Sequence, residues 1–202
     1  GEYVRDIYVG RVPVEDEADA AAYVTKVIEY EDRGQKDNGA WRNRALFVAD
    51  DFYQYSNDST QPRDGIQNHD EQSNRLYEAV RGLQPARQTE HFFLHDYTRT
   101  NGRSTPVAAK SLTKLLNDGQ LYTTFYGHGG TEGWSDEALL RMRELNKLYN
   151  SKNLTILGSF SCTVGRFEDG KDAVLGERFV RDPGKGAIAS IGALRESYSN
   201  KN

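Results

Sequence analysis

Short apolar runs alternate along the chain with segments whose apolar residues recur at helical spacing. The runs of strand length lie at residues 6–10, 45–49, 91–95, 120–126, 154–161 and 186–191. The intervening segments predict helices near residues 15–31, 73–82, 106–116, 136–149 and 172–180. Strands that alternate with helices are typical of a parallel sheet. We therefore predict an α/β fold with a mostly parallel six-stranded sheet, flanked by helices on both faces.

Polar residues mark the boundaries of these elements. The third helix should begin at Pro106, where the preceding hydroxyl residues can cap it, and it should end at Gly119. Residues 53–72 contain almost no aliphatic side chains, so they predict a long loop before the second helix. No internal repeat or low-complexity linker divides the chain, and we expect residues 1–202 to form a single domain.

Composition narrows the classes of function. The chain has 30 acidic and 26 basic residues, a balance that gives no electrostatic basis for binding nucleic acid or an anionic membrane. No apolar stretch has the length of a bilayer span. The single cysteine excludes an intramolecular disulfide and a cysteine-rich zinc site. Because the chain begins with glycine and shows no signal peptide, we expect it to be part of something longer.

Chemically active side chains follow several of the predicted strands. In chain order they are Asp50, Asp51, Asp96, His128 and Cys162. The carboxyl ends of parallel strands meet at one edge of a sheet, and ligands of open α/β folds bind outside that edge. The sequence therefore predicts that acids from two strand ends, an imidazole and a thiol converge on one site.

Cys162 and His128 predict nucleophilic catalysis at this edge. A thiol attacks an acyl carbon when a neighbouring imidazole takes its proton, and amide donors then hold the oxyanion. His128 lies between glycines, which lets the backbone approach a substrate closely. The alternative for Cys162 is a small buried core residue. The alternative for His128 is an exposed side chain in a turn that ends a strand.

Motifs around these two residues carry a family resemblance. They are Tyr126-Gly127-His128-Gly129-Gly130, Gly133-Trp134, Cys162 followed by Arg166-Phe167-Glu168, and Gly176-Glu177. Together they resemble the gingipain-type cysteine peptidases, which have a caspase-like fold. Within that family they are most similar to the PorU-type sortases of the type IX secretion system. Segments at residues 7–14, 41–51 and 184–189 extend the resemblance over nearly the whole chain. The resemblance thus implies a caspase-like catalytic subdomain over residues 1–202, within a larger multidomain protein.

The resemblance implies roles for individual residues. His128 and Cys162 would form the catalytic dyad, and the amides of Gly129 and Cys162 would bind the oxyanion. The predicted substrate-binding residues are Trp134, Arg195 and Glu196. The alternative for the tryptophan is core packing, which is common for an aromatic residue after a glycine-rich turn.

An acid near the end of the second predicted strand would orient the imidazole. We predict Asp51 for this role, followed by Asp50 and then Asp96. The alternative for each is a helix cap or a calcium ligand. No cofactor is required by the resemblance, and the metal content is unknown. Calcium is an alternative because one loop region is rich in oxygen ligands: Asn57, Asp58, Asp64, Asn68, Asp70 and Glu71. Their spacing fits no EF-hand, which favours a solvated loop.

The resemblance also implies a substrate and a location. The protein would cleave the C-terminal sorting domain of secreted proteins and transfer them to a surface lipopolysaccharide, together with other type IX secretion components. It would lie on the outer-membrane surface of a Gram-negative bacterium or be secreted from it, and nucleic acid is not an expected partner. Two alternatives are open: a secreted gingipain-like protease that only hydrolyses, and a catalytically silent binding domain of the same fold.

Overall fold

The computed structural model describes residues 7, 9–36, 39–51, 69–98, 105–169 and 173–197. Its helices are α1 (Glu17–Lys36), α2 (His69–Leu83), α3 (Pro106–Asp118), α4 (Met142–Leu145) and α5 (Leu175–Arg181). Its strands are β1 (Arg44–Ala49), β2 (Gln88–Phe93), β3 (Tyr122–Tyr126), β4 (Gly129–Gly130), β5 (Gly133–Trp134), β6 (Leu140–Arg141), β7 (Thr155–Phe160) and β8 (Ala187–Gly192). Strands and helices thus alternate along most of the described chain, as the apolar pattern predicts.

Five strands form one parallel sheet in the order β2-β1-β3-β7-β8. The strand order reverses between β1 and β3, because β2 lies on one side of β1 and the later strands lie on the other. In doubly wound sheets the binding crevice opens at this reversal, outside the carboxyl ends of the strands. The topology therefore places the expected crevice at the ends of β1 and β3, next to the end of β7.

Within the described residues the main sheet has five strands rather than the predicted six. Of the first predicted strand, residues 7, 9 and 10 are described, and none of them forms a strand. Ile7 and Val9 are 73% and 85% exposed. An apolar run forms a strand where it can pair with a sheet edge and bury one face, and these two side chains have no buried face here.

Helices cover both faces of the sheet. Strand β1 is buried at five successive positions, which requires packing on each side. Phe47 contacts Tyr77 of α2 edge-to-face, with ring centroids 5.6 Å apart. Leu46 and Val48, which alternate with Phe47 and point the other way, belong to the hydrophobic cluster that contains Leu112 of α3. The predicted helix layers on both faces are therefore present.

Residues 136–149 do not form the single helix that their apolar spacing predicts. Strands β4, β5 and β6 make a small antiparallel sheet, and only Met142–Leu145 is helical. Ser135 and Ala138 have φ angles of 56° and 62°, which a right-handed helix cannot accommodate. Leu139 is completely buried all the same. Tertiary packing of this side chain, rather than helix propensity, determines the local structure.

Helix α3 begins and ends where the sequence predicts. Pro106 is its first residue, and Gly119 ends it with a φ of 90°, which suits glycine. The Thr105 side chain makes no capping hydrogen bond, so the predicted hydroxyl cap is not formed there.

Helix α1 is joined to the end of α5 by a buried lysine. The Lys26 Nζ donates hydrogen bonds to the carbonyl groups of Phe179, Val180 and Asp182 at 3.3, 2.8 and 3.0 Å. Burial lowers the pKa of Lys26 from 10.5 to about 8. No described helix, α1 included, is long and apolar enough to cross a membrane.

Candidate active site

His128 and Cys162 occupy equivalent positions after neighbouring parallel strands. Strand β3 pairs with β7 so that Tyr126 lies opposite Phe160, and each of the two residues comes two positions later. The Gly127 amide continues the ladder by donating to the Phe160 carbonyl at 3.4 Å. Both His128 and Cys162 are half-buried. The register therefore places the imidazole and the thiol at the same level on one edge of the sheet.

The chain turns sharply directly after Cys162. Thr163 has a φ of 51°, in a region that costs a residue other than glycine about 1 kcal/mol or more. Its amide donates to the Arg195 carbonyl at 3.2 Å, and its carbonyl accepts a hydrogen bond from the Arg166 amide at 3.0 Å. A tight turn at the end of a strand holds a nucleophile outside the sheet. The backbone around Cys162 has the geometry that such a residue needs.

The Cys162 sulfur contacts the backbone of a later segment. Its Sγ lies 3.4 Å from both the amide nitrogen and the carbonyl oxygen of Ser197. The amide of Gly165 donates to the Ala193 carbonyl at 3.0 Å, so residues 193–197 run alongside the cysteine turn. This segment forms one wall beside the thiol.

The carboxyl group of Asp50 holds the chain that carries His128. Its Oδ2 accepts a hydrogen bond from the His128 amide at 2.9 Å, and its Oδ1 accepts one from the Asp51 amide at 3.0 Å. Gly127 permits this approach, because a Cβ there would overlap the Asp50 side chain. The His128 amide is engaged by Asp50, which leaves oxyanion binding to other amides.

Three buried carboxyl groups cluster next to His128. Ligand oxygens of Asp50, Asp51 and Glu137 all lie within 4.8 Å of one another. Burial and the neighbouring Glu137 carboxylate raise the pKa of Asp50 well above its ordinary value, so this group keeps its proton at higher pH than an exposed aspartate. Carboxylates are also the ligands that calcium prefers, and these three are the described residues whose geometry could hold a cation. The sequence did not predict Glu137, which lies in the misassigned segment after β5.

Two of the three acids predicted to orient the imidazole lie at this site, and the third does not. Asp51 follows β1 at the level of His128, because Ala49 pairs with Tyr126, and it is 3% exposed. Asp96 follows the edge strand β2, which β1 separates from β3. Its side chain is 64% exposed and lies 3.4 Å from the His95 Nε2. The prediction for Asp96 is therefore wrong. The ends of parallel strands lie side by side along one edge of the sheet, and the end of β2 is two strand positions away from the end of β3.

His69, to which the sequence assigned no role, packs against His128. It is the first residue of α2 and is 5% exposed. The two rings meet edge-to-face, with centroids 5.3 Å apart and planes at 88°. Burial, with a smaller contribution from His128, lowers the pKa of His69 from 6.5 to about 4. His69 is thus neutral at pH 7 and supports His128 without adding charge. No local pattern predicts this contact.

The low pKa of His69 predicts a loss of stability in acid. Between pH 6.5 and pH 4 the unfolded chain binds a proton at His69 that the folded chain does not. The free energy of unfolding therefore decreases as the pH is lowered through this range. The full cost is about 3 kcal/mol, at about 1.4 kcal/mol for each pKa unit. His69→Phe keeps an aromatic ring and removes the titration. Urea unfolding at pH 7 and pH 4.5 should therefore show a smaller pH effect in this variant.

The comparison between variant and wild type isolates His69. The raised pKa of Asp50 acts in the opposite sense, since stability from that group falls as the pH rises above 3.8, and it acts in both proteins. An equal change in the free energy of unfolding between the two pH values in both proteins would contradict the prediction.

Gly129 brings the chain after His128 against the chain before Cys162. A Cβ at Gly129 would lie 2.5 Å from Ser161 Oγ and 2.8 Å from Ser161 Cβ. Ser161 is itself buried, so it has little room to move. The absence of a side chain at Gly129 therefore allows its backbone to lie beside the cysteine turn, where the sequence predicts an oxyanion donor.

Trp134 lies in the core rather than in the wall of a pocket. It is completely buried and stacks on Phe125 with ring centroids 4.5 Å apart. Its Nε1 donates to Ser159 Oγ at 3.1 Å. The predicted substrate contact of Trp134 is therefore wrong, because a side chain with no exposed surface has no contact to offer.

Arg195 and Glu196 lie on the segment that runs beside Cys162. Both are exposed, and the Arg195 guanidinium forms an ion pair with Glu168. Their contact with a bound peptide stays a prediction.

The candidate calcium loop falls mostly outside the described residues. Asp70 and Glu71 are the described members, and they lie in the first turn of α2. The Asp70 Oδ1 accepts a hydrogen bond from the Glu71 amide at 2.8 Å, and Glu71 pairs with Arg75 at 2.6 Å. Acids at this position are favoured by the helix dipole.

Comparisons with known proteins give the chain a family context. It matches the sequence profile of peptidase family C25 over residues 1–202. None of the curated proteins matches it in sequence.

Solved structures share its fold at low sequence identity. The crystal structure of the Arg-specific cysteine proteinase gingipain R (RgpB) has a TM-score of 0.65 and 18% identity, and covers 92% of this chain and 39% of its own. A complex of Porphyromonas gingivalis RgpB pro- and mature domains has a TM-score of 0.67 and 18% identity, with 95% and 41% covered. A structure described as a protease has a TM-score of 0.55 and 19% identity, with 90% and 35% covered. The chain thus spans about two-fifths of the gingipain chains that it matches.

Proposed function

Because the chain belongs to peptidase family C25, the gingipain family, we propose that it carries the Cys–His catalytic site of a cysteine peptidase. The observation that supports this most directly is the register of β3 and β7, which sets His128 and Cys162 at one level. The tight turn at Thr163 adds to this support, since a core cysteine needs no such turn. The family resemblance drawn from the motifs is confirmed over the whole chain.

In the proposed reaction, the Cys162 thiol transfers its proton to His128, and the sulfur attacks the carbonyl carbon of a peptide bond. The amides of Gly129 and Cys162 donate hydrogen bonds to the oxyanion of the tetrahedral intermediate. The carbon–nitrogen bond then breaks, and His128 returns the proton to the leaving amine. The acyl group remains on Cys162 as a thioester until water or an amine attacks it.

The acids after β1 have separate proposed tasks. Asp51 orients the imidazole from the buried carboxyl cluster. Asp50 acts on the backbone instead, through its hydrogen bond from the His128 amide. The two tasks together keep His128 at a constant distance from the sulfur, which proton transfer requires.

We propose further that the whole protein is a sortase-like transpeptidase of the type IX secretion system. Its substrates would be secreted proteins with a C-terminal sorting domain, its acceptor an amine on surface lipopolysaccharide, and its location the outer-membrane surface of a Gram-negative bacterium or the medium. The motif residue Gly176 supports this assignment. Its amide donates to the Val164 carbonyl at 3.1 Å, and a Cβ there would lie 2.9 Å from that oxygen, so the motif glycine packs α5 against the cysteine turn.

A purely hydrolytic peptidase is the second candidate. The fold similarity to an enzyme described as an Arg-specific proteinase favours it. The two candidates differ only in which nucleophile releases the thioester, so product analysis separates them.

The test uses the full-length protein, a reporter that ends in a sorting domain, and an amino sugar as acceptor. Mass spectrometry should find the reporter joined to the sugar through an amide if transfer occurs, and a free carboxyl terminus if only hydrolysis occurs. Iodoacetamide should also alkylate Cys162 faster in the wild type than in His128→Gln. If the reporter stays intact and His128→Gln does not change the alkylation rate, the domain is catalytically silent and the proposal fails.

A further inference from the structure

A groove leads away from the Gly129 turn into a basic cavity. A smaller cavity of about 260 Å³ is lined by residues 129–133 together with Ser135, Asp136 and Arg141. A larger cavity of about 920 Å³ lies between α3 and residues 136–147. Asp136 and Arg141 line both cavities. The two cavities therefore adjoin at Asp136 and Arg141, and we call them together the groove, which begins at the Gly129 turn.

The larger cavity carries an excess of positive charge. Its charged lining side chains are Lys110, Arg141, Arg143 and Lys147, against Asp136 and Glu144. Glu144 is buried and already paired, since its Oε1 lies 2.8 Å from Arg143 Nε and 3.3 Å from Lys147 Nζ. The Glu144 carboxylate thus forms ion pairs with two of the four cationic side chains. Arg141 also lines the smaller cavity, where Glu132 and Asp136 are the acidic lining residues.

Within the described part of the chain, the Arg141 side chain has a hydrogen-bond donor without an acceptor. Its Nε is buried and has no hydrogen-bond acceptor among the described residues. A buried guanidinium N–H without an acceptor is unfavourable, and a carboxylate is the group that binds a guanidinium best, through two parallel hydrogen bonds. Arg141 as a whole is half-buried and lines both cavities, so the part of its guanidinium that faces the groove can bind a carboxylate there.

The position of the groove indicates which part of a substrate reaches it. In the proposed reaction His128 delivers a proton to the leaving amine, so the leaving segment lies on the His128 side of the scissile bond. Residues 129–133 follow His128 directly and line the smaller cavity. A peptide that extends from the leaving amine would run into the basic cavity.

We propose that this groove binds acidic side chains on the leaving-group side of peptide substrates and thereby selects substrates with aspartate or glutamate there. The inference rests on the proposed peptidase function and adds its substrate class. Arg141 and Lys110 are the specificity-determining residues. Their charges also raise the local concentration of acidic peptides, an effect that salt weakens.

The test compares matched peptides with the full-length protein. The two peptides share a cleaved sequence and differ only in aspartates or asparagines on the leaving side. The wild type should cleave the acidic peptide with a kcat/KM about tenfold higher at low salt, and the preference should shrink as salt is added. Lys110→Glu and Arg141→Gln should each remove most of the preference, mainly by lowering kcat/KM for the acidic peptide.

A matched control lies on the same helix. Lys114 is one turn from Lys110, is exposed, and is not part of the cavity lining. Lys114→Glu makes the same charge change and should keep the full preference. A preference that Lys114→Glu abolishes equally would assign the effect to net charge and overturn the proposal, as would equal cleavage of both peptides by the wild type.

A binding assay separates this inference from the proposed chemistry. Cys162→Ala should bind a fluorescent acidic peptide, and Arg141→Gln in that background should weaken binding severalfold. This result would support acidic-peptide binding in the groove even if no peptide is cleaved. Cleavage without any charge preference would instead overturn the proposal for the groove, while the proposed peptidase function would remain supported. Lipopolysaccharide vesicles that bind in an Arg141-dependent way, with no discrimination between the peptides, would assign the groove to an acceptor and also overturn the proposal.

Discussion

Cys162→Ala is expected to lower kcat of the full-length protein by about 10⁴-fold or more, because no other group can form the thioester. The loss should not reflect unfolding. Cys162 is half-buried, and its sulfur contacts the Ser197 backbone at 3.4 Å, so truncation should change the free energy of unfolding by about 1 kcal/mol or less. Turnover of the reporter peptide and urea unfolding measure the two quantities separately.

His128→Gln provides the companion measurement. It should reduce kcat by a comparable factor, since the thiol then has no base. The double variant should be no slower than Cys162→Ala alone, because residues that act as one catalytic unit show non-additive losses. Independent, multiplying effects of the two substitutions would contradict the proposed dyad. So would turnover by Cys162→Ala within tenfold of the wild type.

Gly129→Ala is expected to lower kcat by about 100-fold and to destabilise the protein by about 1–3 kcal/mol. The added methyl group would lie 2.5 Å from Ser161 Oγ and 3.2 Å from Val164 Cγ2. To relieve this overlap, the chain after His128 must move away from the chain that carries Cys162. A displacement of about 1 Å suffices to disturb both proton transfer and the proposed oxyanion contact. Reporter cleavage and urea unfolding would detect the two effects.

The neighbouring glycine is a matched control. A Cβ at Gly130 would meet no atom within 4 Å, so Gly130→Ala should leave kcat and stability nearly unchanged. Ser161→Gly removes the atoms that the new methyl group would strike, and it should restore part of the activity of Gly129→Ala. Equal effects at the two glycines, or no rescue, would show that the close approach at Gly129 does not position the dyad.

Most of the sheet was predictable because its signals are local. The runs at residues 45–49 and 154–161 became β1 and β7 with small changes at their ends, and Pro106 and Gly119 bound α3 as predicted. The segment at residues 136–149 was not predictable. Its leucines have helical spacing, yet Ser135 and Ala138 adopt positive φ to bury Leu139 within a small antiparallel sheet. Tertiary packing overrode local propensity there.

Part of the candidate site was likewise predictable from the sequence, and part was not. The reactive pair could be chosen from the sequence, because glycines flank His128 and Cys162 follows an apolar run. The surroundings of the pair could not. Glu137 joins the acids after β1 and His69 packs on His128 across long separations in the chain. Trp134 has the same local context whether it faces solvent or core, and only the structure shows it stacked on Phe125.

The sequence by itself determined the strand–helix alternation, the residues that follow each strand, and the family to which they belong. These properties depend on periodicity and short motifs, which a linear chain records. The tertiary structure alone decided the order of the strands and hence which of those residues meet: Asp50 with His128, but not Asp96. The physical reason is that strand order arises from packing between distant segments, and the free energy of that packing has no signature in any short stretch of sequence.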